Sequence, residues 1–98
     1  MKYEIEQTHQ FENWITGKKV KPFVGRFLSR LERVKHGNFG DHKQISSQLF
    51  ELRFFFGSGL RIYYTVRDNR IIFLLVGGDK SSQSSDIEKA NQLIQGLE

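Results

Sequence analysis

The stretch GSGLRIYYTV (57–66) sets one arginine, Arg61, just after two glycines and inside a run otherwise suited to a buried β-strand. Alternation gives that arginine a direction: Leu60, Ile62, Tyr64 and Val66 point one way, and Arg61, Tyr63 and Thr65 the other. In the preceding run, LFELRFFF (49–56), the apolar set is Phe50, Leu52, Phe54 and Phe56, which leaves Glu51, Arg53 and Phe55 opposite. Pairing the two runs through the GSG turn puts Arg53, Arg61 and Tyr63 on one sheet face, away from the helices, with Glu51 nearby. Guanidinium groups held on strands beside a phenol suit phosphate recognition, because Arg presents a planar fork and stays charged. Aromatic neighbours suit stacking on unpaired bases, as single-stranded RNA recognition requires. The same pattern also fits a plainer role, in which both arginines solvate an open sheet face and pair with Glu51 and Asp79.

A second stretch, GGDKSSQ (77–83), ends a wholly apolar strand in two glycines, an acid and a lysine. The glycines allow a bend or a close approach, and Lys80 emerges at the strand end. An ordinary strand-to-helix turn capped by Ser84 or Ser85 accounts for the same residues. Further basic side chains fall in KKVK (Lys18, Lys19, Lys21) and at Arg26, Arg30, Arg33 and Lys35, which form a positive helix flank. Such a flank is either solvated surface or a contact for an acidic partner or RNA backbone.

The elements that must carry these groups follow from periodicity. Residues 2–7 alternate as a short strand. Thr8 caps a short helix bearing Phe11, Trp14 and Ile15, with Trp14 as a core anchor, and Gly17 ends it. Pro22 opens a second helix, where Phe23, Phe27, Leu31 and Val34 repeat at helical spacing up to Gly37. Three strands follow, at 49–56, 60–66 and 70–78, joined by GSG and RDN. SDIE (85–88) has the capping-box pattern and opens a final short helix. The order β-α-α-β-β-β-α describes an α+β domain with an N-terminal helical hairpin, an antiparallel sheet and helices on one sheet face.

Global features bound what such a site can be. At 98 residues without a shift in composition, residues 1–98 read as one domain with a shallow site. The net charge is +4, and residues 1–36 hold eight basic against four acidic side chains, so the positive bias sits in the first third. No cysteine is present, which excludes disulfides and thiolate metal sites. His9, His36 and His42 lack paired ligand spacing, so no metal or other cofactor is expected. The charged start MKYEIEQTHQ and the short run IIFLLV read as a cytoplasmic protein without a membrane segment.

Taken together, FGDHKQI, FELRFFFGSGLRIYY and LLVGGDKSSQSSDIEKA resemble the RelE/HigB-like toxins of bacterial type II toxin–antitoxin modules, specifically the phage-derived addiction-module killer group. The likeness runs from about Tyr3 to about Leu97. It implies the RelE-like toxin fold and a metal-free endoribonuclease that cuts messenger RNA at the ribosome, or in some members free RNA, until a cognate antitoxin blocks it. In that chemistry the ribose 2′-hydroxyl attacks the adjacent phosphate, leaving a 2′,3′-cyclic phosphate and a 5′-hydroxyl. The reaction needs a base, cations for the phosphorane and an acid for the leaving oxygen. By resemblance Arg61 stabilises the transition state, and Arg53 and Lys80 match two further basic positions. Strand phase makes Tyr63 and Glu51 candidates for acid and base, with His42 an outsider. Lys18, Lys19, Lys21 and Lys43 are candidates for RNA contact.

Two functions follow from these residues. One is an RNA-cleaving toxin whose Arg53, Arg61 and Lys80 patch is covered by an antitoxin of helix-turn-helix type. The other is a non-catalytic, phage-derived module that keeps the fold and binds a protein through the same arginines.

Overall fold

The computed structural model describes residues 2–97. Its elements run β1 (Glu4–Gln7), α1 (His9–Ile15), a 3₁₀ turn (Lys21–Phe23), α2 (Val24–Lys35), β2 (His42–Gln44), β3 (Phe50–Arg53), β4 (Arg61–Arg67), β5 (Ile71–Gly78), a second 3₁₀ turn (Lys80–Ser82) and α3 (Gln83–Leu97). The five strands form one sheet in the order β1-β5-β4-β3-β2. This is the expected α+β architecture, with two additions. β2 is a three-residue edge strand whose polar sequence carries no alternation to announce it. β1 joins β5 in parallel, Glu4 opposite Ile71 through Gln7 opposite Leu74, so the sheet is mixed at that edge and antiparallel elsewhere.

β4 and β5 are joined by three residues, 68–70, in a β-turn whose central pair, Asp68 and Asn69, both take positive φ, +55° and +53°. That geometry matches the right-handed twist of the flanking strands, and Arg70 N–H donates to the Arg67 carbonyl at 3.0 Å. β3 ends at Arg53, earlier than the alternation in 49–56 predicts. From Phe54 the chain swings off the sheet so that Phe54 packs edge-on against Phe27 and Phe56 stacks on Phe23. Gly57 and Gly59, at φ +63° and +77°, then return it to β4.

The sheet separates two apolar layers. On one side α1 and α2 contribute Phe11, Phe27, Leu31 and Val34, packed on Leu52, Phe54, Ile62, Tyr64, Ile72 and Leu74. On the other, Ala90 and Ile94 of α3 pack on Leu49, Tyr63, Leu75 and Val76. The element order predicts helices on a single face; α3 instead covers the face opposite α1 and α2. An irregularity in the β4–β5 register, where Tyr63 faces Val76 but Tyr64 faces Leu74, explains why Leu75 and Val76 both reach the second layer.

α3 also begins earlier than SDIE predicts. Asp79 accepts from the Ser81 and Ser82 amides at 2.9 and 3.3 Å, while Ser82 Oγ accepts from the Asp79 amide at 3.2 Å. The cap therefore sits six residues before Ser85, whose hydroxyl instead donates to the Ser82 carbonyl at 3.0 Å. α1 is capped by Thr8 as expected: its hydroxyl accepts from Phe11 N–H at 3.0 Å and donates to the Leu75 carbonyl at 2.6 Å. Gly77 is required because the Trp14 ring lies where its Cβ would stand. Among the described residues no helix is long and apolar enough to cross a membrane.

Candidate functional site

Strand phase brings the predicted cations together. Arg53 of β3 lies directly opposite Arg61 of β4, and Glu51 opposite Tyr63, so all four share one sheet face. The turn Asp79–Ser82 delivers Lys80 alongside, with its amide donating to the Ser58 carbonyl at 3.3 Å. Arg53, Arg61 and Lys80 line an open groove of about 430 Å³ with Asp41, Phe54 and Phe55. Phe55 is 90% exposed, a large aromatic left in solvent at the rim of this groove.

Each guanidinium is held differently. Arg53 Nη2 donates to Asp41 Oδ1 at 2.9 Å, and that hydrogen bond raises the Arg53 pKa above its ordinary value. Arg61 Nη1 donates to the Gly59 carbonyl at 3.0 Å, and its Nε lies 3.5 Å from Glu51 Oε2. Lys80 is exposed. Two of the three cations are thus aimed by neighbours, and the third is free to swing.

Glu51 and Tyr63 do not lie open beside the arginines, as the strand phase alone suggested. Both are buried: Glu51 is 1% exposed, and Tyr63 is fully enclosed in the layer that α3 packs against. Burial, reinforced by the Glu51 charge, pushes the Tyr63 phenol far above its ordinary range, so it stays protonated. Four buried polar side-chain atoms lack a hydrogen-bond partner among the described residues: Glu51 Oε2, Arg53 Nε, Arg61 Nε and Tyr63 OH. All four belong to this one group. Folded proteins leave few such atoms, and two of these, Glu51 Oε2 and Arg61 Nε, face each other as an ion pair at 3.5 Å.

The remaining candidates scatter. Lys18 and Lys19 are exposed on the loop after α1 and Lys21 at the start of the first 3₁₀ turn, and Lys19 lines a neighbouring groove of about 420 Å³ with Trp14, Phe23 and Asp79. Lys43, opposite Glu51 on the edge strand β2, shares the face of Arg53 and Arg61 without lining their groove. His42 is opposite Leu52 and so points to the other face, where it packs on Phe39. Asp79, a possible partner for the arginines, is engaged by Ser58, Ser81 and Ser82, whose hydrogen bonds hold its carboxyl below its usual value.

Sequence reasoning missed three side chains. Asp41 is the carboxylate of the groove, and only its place after a glycine, in a stretch without periodicity, hinted at it. Arg30, read as part of a solvated flank, is 8% exposed. It donates to the carbonyls of Phe39 at 2.8 Å, Asp41 at 2.6 Å and Arg53 at 3.2 Å, and lies 4.8 Å over the Phe54 ring. Burial lowers its pKa. Gly40, at φ +68°, leaves room for that guanidinium, since a Cβ there would stand 2.8 Å from Arg30 Nε. Asp86 of α3 accepts from Ser82 at 2.6 Å and adds a second negative charge near Tyr63.

Comparison with known proteins gives two matches. The model of the family described as phage derived protein Gp49-like matches residues 17–95. An uncharacterized protein of Haemophilus influenzae is 37% identical over 97 residues, which cover 99% of this chain and 98% of the relative. No solved structure matches.

Proposed function

We propose, for a chain that belongs to the phage-derived Gp49-like family, the role of an endoribonuclease toxin that cuts messenger RNA at the ribosome. The family falls in the addiction-module killer group, which implies a cognate antitoxin; we take that partner to be a helix-turn-helix protein. The observation that carries the reading is the convergence of Arg53, Arg61 and Lys80 on one open groove with an exposed aromatic at its rim.

In this reading residues 1–98 act as one RelE-like domain in the cytoplasm. A backbone phosphate lies between the two guanidiniums, and Phe55 stacks on a neighbouring base. Attack by the 2′-hydroxyl gives a phosphorane whose added charge Arg61 and Arg53 stabilise. Lys80 supplies the proton for the leaving 5′-oxygen. Glu51 and Tyr63, opposite each other and out of solvent, act as positioning residues: Glu51 fixes the Arg61 guanidinium and Tyr63 closes the buried side of the pair. Lys18, Lys19, Lys21 and Lys43 lie outside the groove and contact phosphates of messenger or ribosome.

The test is primer extension on messenger RNA after brief induction of the wild type and Arg61→Ala, with translation-blocked controls. New 5′ ends that require both Arg61 and active ribosomes support the reading. A folded wild type that produces none favours a non-catalytic module in which Phe55 and the arginines anchor a protein partner.

A further inference from the structure

The groove needs a group to take the 2′-hydroxyl proton, and most carboxylates near it are disqualified by position. Glu51 is buried beneath Arg61. Asp86 is engaged by Ser82 on the α3 side, and Asp79 by three serines at the neighbouring groove. Tyr63 is buried and protonated. His42 points to the far face of the sheet. Asp41 remains, the one carboxylate lining the groove with Arg53, Arg61 and Lys80 among the described residues.

We propose that Asp41 is the general base of the cleavage, a role that rests on the RNA-cleaving reading. The backbone holds it in place unusually well for a loop residue. Its carbonyl accepts from Arg30 Nη2 at 2.6 Å and from the Arg53 amide at 2.9 Å, so a buried arginine and a strand end both fix its main chain. Arg53 Nη2 fixes the side chain through Oδ1, and Oδ2 is the oxygen left for substrate. Burying Arg30 has a desolvation cost, and its three carbonyl contacts all fall on the segments that carry Asp41 and Arg53. A general base must be held within hydrogen-bond reach of its proton, and this clamp supplies that.

The proton of the 2′-hydroxyl moves to Asp41 Oδ2 as the 2′-oxygen forms its bond to phosphorus. The bond from phosphorus to the 5′-oxygen then breaks, and that oxygen takes a proton from the Lys80 ammonium. Exchange with solvent returns the proton from Asp41 and restores the one on Lys80. Arg53 thereby serves two groups at once, the phosphate and the base.

The experiment measures single-turnover cleavage of a short synthetic messenger on purified ribosomes by wild type, Asp41→Asn, Asp41→Ala and Arg61→Ala, with melting temperature and ribosome affinity beside each. Asparagine keeps an oxygen for Arg53, so the expected result is a folded protein that binds normally and cleaves about 10²–10⁴-fold more slowly. Added formate should partly restore Asp41→Ala and leave Arg61→Ala unchanged. Asp41→Ser, whose hydroxyl also accepts from Arg53, serves if Asp41→Asn does not fold. Cleavage by the folded variant within about threefold of wild type, or a loss matched by lost binding, overturns Asp41 alone. A wild type that does not cleave overturns the RNA-cleaving reading and this role together.

Discussion

Replacing Arg61 removes more than a cation from the groove, because it strips the buried Glu51 of its partner. The Glu51 side chain is 2% exposed, that of Arg61 is 16% exposed, and Nε lies 3.5 Å from Oε2. At that separation, with an effective dielectric of about 20, the attraction is about 5 kcal/mol before desolvation is subtracted. Truncating one member of a fully buried pair costs about 3–5 kcal/mol. The Arg61 edge reaches water and the contact is longer than a hydrogen bond, so we expect about 2–3 kcal/mol for Arg61→Ala. Glu51→Gln alone should lose about 1–2 kcal/mol, since it leaves an uncompensated guanidinium that is better solvated. The double variant should be more stable than the sum of the two predicts, with a coupling of about 2 kcal/mol. Urea unfolding at pH 7 followed by the single tryptophan, Trp14, measures all four proteins. A loss of 2–3 kcal/mol moves the midpoint by about 1–2 M. A coupling below about 0.5 kcal/mol would refute the argument that Glu51 holds Arg61 from behind. The same cycle supplies a better-folded Arg61-less protein, Glu51→Gln with Arg61→Ala, for growth and cleavage assays.

Other expectations follow from single contacts. Burial raises the pKa of both the Tyr63 and Tyr64 phenols in the folded state, so stability is fully present below the ordinary phenol value of about 10 and falls as pH rises beyond it. Absorbance at 295 nm should therefore report these two ionisations only together with loss of near-ultraviolet dichroism. Arg30→Met removes a donor from three carbonyls, of which that of Asp41 keeps the Arg53 amide, and should cost about 2–4 kcal/mol while slowing RNA cleavage; chemical denaturation and the primer-extension assay check both. Gly77→Ala drives a methyl into Trp14 and should lower stability by about 1–3 kcal/mol with a shift in tryptophan emission. Phe55→Ser should leave the melting temperature within a few degrees, since the ring packs little, yet weaken ribosome or antitoxin binding measured by pull-down.

Much of this was legible where one periodicity decides. Residues 60–66 alternate cleanly, and the alternation fixes that Glu51, Arg53, Arg61 and Tyr63 share a face. It cannot say whether that face is open, because its burial depends on apolar positions in the last helix, and the helical spacing of Ala90 and Ile94 does not name the sheet face they cover. The start of α3 was misplaced because SDIE and DKSS are both good caps; the register of β5 brings Asp79 to the turn first. Arg30 was unreadable for a related reason: at helical spacing an arginine looks like a solvated flank until the loop 38–41 folds over it. β1 announced itself as a strand, but no pattern in four residues names a partner near residue 71.

That parallel partner sets the order in which the fold can form. Thr8 and Leu75, bonded at the junction of β1, α1 and β5, are 67 residues apart in the chain. Closing so long a loop is entropically slow, whereas the β4–β5 hairpin forms across the three residues between Arg67 and Ile71. The hairpin and β3 should therefore collapse first, carrying the arginines with them, and β1 should dock late. Docking of β1 also seats α1, whose Trp14 lies against Gly77 at the end of β5 just before the Asp79–Ser82 turn that carries Lys80. The slowest segment to arrive thus completes the scaffold behind the groove's third cation, and refolding observed at Trp14 should lag behind strand formation.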